Sequence, residues 1–315
     1  MGDDVAVGVI TATGLSMVFG QQRALDALDV TVQPGVTGLV GANGAGKTTF
    51  MSIVLGLRAP TVGVVEVLGL DPMRQGAELR SHVGYGPERN IFPEDMPASD
   101  FVKHLAEVRG MPRSEARSRA SDALWLVGLG EERFRALGTM STGQRQRVKL
   151  AQAIAADPRL VLLDEPTDGL DPVQRDEMLA LIKQISSEYG IDVLLSSHLL
   201  EEVERICDHV VALDAGRLIA QGRLVDLIGD VEGVTIELAD IADVPDSVGA
   251  VIGRLHAAGL EVRHEPEAFV MDVLGASADD IADAVRDAIA DSSARVRRIE
   301  PRRRRLEDLF EAAAL

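Results

Sequence analysis

The run Gly41-Ala42-Asn43-Gly44-Ala45-Gly46-Lys47-Thr48 follows directly on the apolar stretch Val36-Thr37-Gly38-Leu39-Val40. It leads into Thr48 to Leu57, which has the length and apolar spacing of a helix. A G-x-x-x-x-G-K-[ST] loop between a buried strand and a helix is built to hold phosphate. Its glycines let successive backbone N–H groups converge on phosphate oxygens, and the helix adds the positive end of its dipole. Lys47 reaches the outer phosphates of a nucleotide, and the Thr48 hydroxyl is placed to ligate Mg²⁺. Strand, loop and helix in that order predict an α/β fold, and Val62 to Leu68 returns to strand character. Apolar strands recur at Leu160 to Leu163 and Val193 to Ser196, each after a helical stretch, as a mostly parallel sheet requires.

Composition removes several classes of function. The chain has 315 residues, 46% of them hydrophobic, enough for one large domain or two smaller ones. Lys+Arg 32 against Asp+Glu 50 gives 32 − 50 = −18, which argues against a nucleic-acid partner, because phosphate backbones attract concentrated positive charge. Cys207 is the single cysteine, so no internal disulfide framework exists and a reducing compartment suits the chain. The N-terminal Met1-Gly2-Asp3-Asp4 is acidic where a signal peptide is basic, and no apolar run approaches the roughly 18 residues that span a bilayer. Any membrane role is therefore expected to use a partner.

Asp164 ends the apolar run Leu160 to Leu163, where a carboxylate can hold a metal directly or through water. Glu165 follows it. Side chains alternate along a strand, so the two cannot do the same job, and a second carboxylate facing the terminal phosphate suits polarising an attacking water. Glu165 is the expected general base. Between the phosphate loop and this acidic strand end, Ala98 to Gly128 carries Phe101, Leu105, Val108, Ala116, Ala120, Leu124 and Val127 at helical spacing and reads as a helical insert.

With Ser141-Thr142-Gly143-Gln144 placed before Asp164-Glu165, residues Val9 to Ile228 closely resemble the ATPase subunit of an ABC (ATP-binding cassette) transporter. The resemblance implies a P-loop NTPase cassette over 9–228, with a helical subdomain at about 89–143. It implies ATP as substrate, held by Phe19, by the loop Gly41, Ala42, Asn43, Gly44, Ala45, Gly46, Lys47, Thr48 and by Thr49. It also implies Mg²⁺, held by Thr48 and Asp164 with Glu88. Ser141, Thr142, Gly143 and Gln144, together with Asp171 of Gly169-Leu170-Asp171, would act on ATP bound to a second cassette, expected to be another copy of this chain. The physics agrees: a serine hydroxyl, a glycine permitting close approach and a helix dipole form a second anion site, and the same serine serves as an ordinary helix cap. His198 matches the switch histidine that contacts the γ-phosphate, holding rather than abstracting. Phe19 matches the aromatic that stacks on adenine, although an isolated Phe fits a core position equally well.

Three positions depart from the common family pattern. Met140-Ser141-Thr142-Gly143-Gln144 replaces Leu-Ser-Gly-Gly-Gln, Asp168 stands where serine is frequent, and Glu88, in Gly86-Pro87-Glu88-Arg89 after the strand His82 to Tyr85, stands where glutamine is usual. A carboxylate at 88 can still approach Mg²⁺ or its water, but it adds negative charge and lacks the amide donor. Pairing with Arg89, or facing solvent, is the other use for it. Glu88 also opens the helical insert that, in this family, receives a separate transmembrane permease. The insert, the Pro-Glu loop, the Ser-Thr-Gly signature and the tail Leu306-Glu307-Asp308-Leu309-Phe310 resemble the drug- and lipid-exporting branch, including the daunorubicin-resistance type. That resemblance implies a peripheral ATPase on the cytoplasmic face of the membrane, driving efflux of a drug-like, lipid or polysaccharide substrate. An importer ATPase is the nearer alternative. A soluble ABC ATPase acting on ribosomes or chromosomes is the further one, disfavoured by a single cassette without long coiled coils.

Beyond Gly229-Asp230, over 231–315, the order of elements is strand (Val234 to Leu238), helix (Ser247 to Ala258), strands (Leu260 to Arg263 and Phe269 to Val273), helix (Asp279 to Ala290) and strand (Ala294 to Ile299). This βαββαβ order predicts a small ferredoxin-like α+β accessory domain. Arg295, Arg297, Arg298 and Arg302 to Arg305 form a basic cluster that could meet anionic lipid headgroups. Glu300, Glu307, Asp308 and Glu311 lie close enough in sequence to balance it as a solvated surface.

Overall fold

The structure, a computed structural model, describes residues 8–89, 92–238, 245–265, 270–274, 278–290, 292, 295–303 and 305–313. Met1 to Asp4, Phe269, Ala294 and Arg304, all used above, lie outside the described residues. Two compact units result, one running to Leu224 and taking in the chain from Leu309, the other Val225–Asp308.

The first unit opens with two long strands, β1 (Ile10–Phe19) and β2 (Gln22–Val32), then β3 (Val36–Val40), helix α1 (Lys47–Val54) and β4 (Val62–Val67). Helix α2 (Gly76–His82) leads into β5 (Val83–Gly86), and α3 (Ala98–Val108) and α4 (Arg113–Leu126) follow. After them come α5 (Thr142–Ile154), β6 (Leu160–Asp164), α6 (Pro172–Tyr189), β7 (Asp192–Ser197), α7 (Leu200–Ile206), β8 (His209–Asp214), β9 (Arg217–Arg223) and the short α8 (Leu224–Leu227), which runs on into the second unit. The six-stranded sheet runs β5-β6-β7-β3-β8-β9 and is parallel except for β9. Strands β3 and β6 are buried at every position, as central strands covered on both faces must be.

A second, antiparallel sheet of order β2-β1-β4 packs with the first. Sequence periodicity shows only its Leu28 to Val32 and Val62 to Leu68 segments. Strand β1 carries register shifts against β2 between Ala12 and Leu15 and again beyond it, and such irregularities break the period-two signal. One core joins the layers: Ile10, Leu15 and Leu25 from the antiparallel sheet meet Phe50 and Ile53 of α1 and Leu160, Leu162 and Leu194 of the parallel sheet. Helix α1 stops at Val54, short of Leu57, where Gly56 enters the left-handed region at φ 66°. The helical insert is two helices, broken at Gly110-Met111-Pro112, because the proline fixes the start of α4.

Phe50 has no exposed surface and fills the space between the two sheets. Phe50→Ala is expected to destabilise this unit by about 3–5 kcal/mol through lost burial and the cavity left behind. Chemical denaturation monitored by circular dichroism checks it, with a lower midpoint as the expected outcome.

The second unit contains β10 (Asp230–Leu238), α9 (Pro245–Ala257), β11 (Glu261–Glu265), β12 (Val270–Leu274), α10 (Ala278–Ala290) and β13 (Val296–Arg303), and the closing helix α11 (Leu306–Ala313) begins in it. Its sheet has the order β11-β12-β10-β13 with every pair antiparallel. That is the split βαβ arrangement of a ferredoxin-like domain. Ile236, Leu238, Met271 and Val273 face Val251, Leu255, Ile281 and Val285 of the two helices. The basic cluster is drawn into ion pairs. Arg297 meets Glu237 at 2.9 Å, Arg298 meets Glu300 at 2.6 Å, and the buried Arg302 meets Asp272 at 2.8 Å and Asp308 at 2.6 Å.

Candidate active site

The loop between β3 and α1 has a backbone that only glycine permits. A Cβ on Gly41 would lie 2.2 Å from the Leu213 carbonyl oxygen, and Gly46 caps α1 at φ 106°, where a Cβ would meet the Ala24 carbonyl at 2.7 Å. Lys47, first residue of the helix, is 7% exposed and donates from Nζ to the Gly41 carbonyl at 2.6 Å. The loop from Ala42 to Thr49 forms one wall of a cavity of about 390 Å³. Phe19, Gln22 and Ala24 of the β1–β2 hairpin close one side, and Glu88, Asp164, Glu165, Asp168 and His198 close the other. Phe19 is exposed, with the Arg58 guanidinium 5.3 Å from its ring centre, so it is not a core residue.

At the end of β6, Asp164 is buried and accepts a hydrogen bond from Ser196 Oγ at 2.6 Å. The same Ser196 oxygen accepts from the Glu165 backbone N–H at 3.0 Å. Glu165 has φ 47°, a left-handed conformation that costs a non-glycine residue on the order of 1–3 kcal/mol and is tolerated where the surroundings over-determine it. This bend separates the two carboxylates: Glu165 Oε1 lies 3.7 Å from Lys47 Nζ, and Oε2 lies 2.8 Å from His198 Nδ1. Ser196 carries no motif signal, although its register opposite Asp164 follows from aligning two parallel strands end to end.

Helix α5 fastens the loops on the far side. Lys149 Nζ donates to the Glu88 carbonyl at 3.1 Å, Gln152 Nε2 to the Tyr85 carbonyl at 2.8 Å, and Gln146 Nε2 to the Asp168 carbonyl at 2.9 Å. Burial, together with the nearby Asp164 and Glu88 carboxylates, pushes the Tyr85 phenol up to about 12. Burial brings the Lys149 ammonium down to about 8 against the opposing pull of Asp164, Asp168 and Glu88. Lys149 and Gln152 belong to no recognised motif, so sequence reasoning passed over them.

Ser141, Thr142, Gly143, Gln144 and Asp171 do not line this cavity. Ser141 caps α5 in a reciprocal box: its Oγ accepts from the Gln144 N–H at 3.2 Å while its own N–H donates to Gln144 Oε1 at 3.1 Å. Gln144 Nε2 in turn donates to Glu132 at 3.1 Å. Asp171 caps α6, accepting from the Gln174 N–H at 2.9 Å. Ser141, Thr142 and Asp171 are exposed. The chain thus gathers one group of expected site residues into a cavity and leaves Ser141, Thr142 and Asp171 of the other on its surface, with Gly143 buried.

Among the described residues no cluster of three His, Cys, Asp or Glu side chains could hold a metal on its own. The oxygen donors Thr48, Asp164 and Glu88 on one cavity suit Mg²⁺, which binds one or two protein oxygens together with substrate phosphates.

The ABC transporter family profile matches residues 25–168. The bacitracin transport ATP-binding protein BcrA of Bacillus licheniformis is 35% identical over 68% of this chain and 69% of its own length. The daunorubicin resistance ATP-binding protein DrrA3 of Streptomyces coeruleorubidus is 31% identical over 80% of this chain and 79% of its own. The methionine import ATP-binding protein MetN of Mesorhizobium japonicum is 34% identical over 72% of this chain and 64% of its own. Among solved structures, the dimeric bacterial ABC transporter cassette MJ0796 superposes with a TM-score of 0.60 at 24% identity, covering 68% of this chain and 98% of that one. The phosphate loop, the acidic strand end, the cassette fold and these relatives agree, and the chain belongs to the ATP-binding subunits of ABC transporters, ATPases that power transport.

Proposed function

We propose that this chain hydrolyses ATP to drive an exporter whose transmembrane permease is a separate polypeptide. The observation that carries the reading is the division of site residues between one cavity and one exposed helix terminus, which suits two ATP molecules held between two cassettes. The phosphate loop and Lys47 bind and orient the triphosphate. Thr48, Asp164 and Glu88 would hold Mg²⁺, which would neutralise charge on the phosphate oxygens. Glu165 takes the proton of the attacking water, and His198 fixes the Glu165 carboxylate while contacting the terminal phosphate. Phe19 stacks on adenine. Ser141 and Asp171 complete the site of the second copy.

Docking of the permease at the membrane surface is assigned to a groove of about 450 Å³ lined by Leu55, Leu57, Arg80, Tyr85, Val108 and Arg109. Leu57 and Val108 are 63% and 69% exposed there, and Tyr85 leads directly to Glu88, so a permease helix in this groove would press on the nucleotide site. No helix among the described residues is long and apolar enough to cross a membrane, which is consistent with attachment through a permease. Val108→Asp is expected to lower recovery of the chain with its co-expressed permease at least tenfold while leaving ATP binding unchanged. Equal recovery would move the docking site elsewhere. The ion-paired Arg297, Arg298 and Arg302 favour a balanced protein surface over a lipid contact.

Export of a drug-like, lipid or polysaccharide substrate is favoured by similarity to the bacitracin transport and daunorubicin resistance proteins, and the methionine importer supports import as the second reading. Reconstitution with the permease into vesicles carrying the ATPase outside separates them. Substrate accumulating inside the vesicles on ATP addition marks export, and ATP-dependent loss of preloaded substrate marks import.

A further inference from the structure

The nucleotide cavity is acidic. Glu88, Asp164, Glu165 and Asp168 line it, and Lys47 alone among its lining residues is a permanent cation. Glu165 has Lys47 within 3.7 Å, whereas Asp164 accepts a hydrogen bond from the neutral Ser196 hydroxyl, which leaves its charge in place. Such a wall repels a triphosphate unless positive charge stands behind it. Lys149 supplies a candidate. It lies in the middle of α5, 4% exposed, with its ammonium on the Glu88 carbonyl at 3.1 Å and within electrostatic reach of Asp164, Asp168 and Glu88. A lysine buried this deeply is retained only where hydrogen bonds and opposite charge compensate its desolvation. Because the bond takes the backbone carbonyl, the Glu88 carboxylate remains free to face the cavity.

We propose that Lys149 is a positioning residue for Glu88: it holds the Glu88 backbone and supplies the buried positive charge that lets a carboxylate occupy this place beside the triphosphate. Neither the phosphate loop nor the signature motif includes it. The same helix that presents Ser141 at its N-terminus grips the Glu88 and Asp168 loops through Lys149 and Gln146, so the two are fixed to one rigid element. The inference rests on Glu88 facing the nucleotide and its metal, as proposed above.

Steady-state hydrolysis by the full chain, measured against ATP and against Mg²⁺ for Lys149→Met, Lys149→Arg, Glu88→Gln and the double variant Glu88→Gln/Lys149→Met, tests it. Lys149→Met is expected to lower kcat about tenfold and to raise the Mg²⁺ concentration needed for half-maximal rate. Lys149→Arg should recover most of the loss, because charge and donor are kept. In the Glu88→Gln background the penalty of Lys149→Met should shrink at least threefold, since no carboxylate at 88 remains to be balanced. A penalty that shrinks by less than threefold makes Lys149 merely structural and overturns the proposal. If Lys149→Met fails to fold, recovery of folding in the double variant supports the proposal and failure of both overturns it. Glu88→Gln alone reads the underlying placement: an unchanged Mg²⁺ dependence removes Glu88 from the metal, whereas a changed dependence with undiminished Lys149→Met losses removes only Lys149.

Discussion

Glu165→Gln is expected to cut phosphate release by a factor of about 10²–10⁴, the usual worth of a positioned general base. This corresponds to roughly 3–5 kcal/mol of lost transition-state stabilisation. The argument is geometric. Glu165 sits at a strained φ of 47° with its backbone N–H held by Ser196, so its side chain is aimed rather than free. One carboxylate oxygen faces Lys47 and the other His198, at 3.7 Å and 2.8 Å. An amide of the same shape fills this space but cannot take a proton from water. The phosphate-binding backbone of the loop is untouched, so ATP affinity is expected to stay within a few fold. Bound ATP that cannot be cleaved should hold two copies together, which light scattering with and without ATP will detect. Wild-type turnover in this variant would remove Glu165 as the base.

Ser141→Arg is expected to abolish turnover while leaving ATP binding to the isolated chain intact. Ser141 lies outside the nucleotide cavity of its own chain, so its loss touches no contact there. Removing the cap costs about 1 kcal/mol of helix stability, too little to unfold a domain of this size. A guanidinium projecting from the α5 N-terminus would instead block a phosphate arriving from a second copy. A mixing experiment makes the claim sharper. In a mixed dimer of Ser141→Arg and Glu165→Gln chains, one composite site carries both defects and the other carries neither. Activity should therefore reappear when two inactive preparations are combined. A mixed dimer shown to form and still inactive would place Ser141 outside a shared site.

How much was legible in the sequence depends on the range of the interaction involved. The phosphate loop, Asp164 and Glu165 are contiguous or strand-ended, and short-range rules of turn geometry and side-chain alternation carry them. The βαββαβ order was equally readable, because each element of the second unit has clean periodicity. Strand β1 was not, since its register shifts scatter the apolar pattern. Apolar spacing made the insert legible as helical, and the structure divides it into two helices at Gly110-Met111-Pro112.

The sequence by itself determined the chemistry available to this protein: a phosphate loop between strand and helix, a pair of adjacent carboxylates at a strand end, a serine placed to cap a helix, and the family those motifs belong to. Tertiary structure alone decided which residues meet. It brought Ser196 onto Asp164, His198 onto Glu165 and Lys149 onto the Glu88 loop, pairs separated by about thirty to sixty residues along the chain. It also left Ser141 on the surface, away from the cavity its own chain forms. The reason is physical. Motif chemistry is written in local backbone geometry, whereas the charge balance around a buried carboxylate depends on which strands and helices pack together.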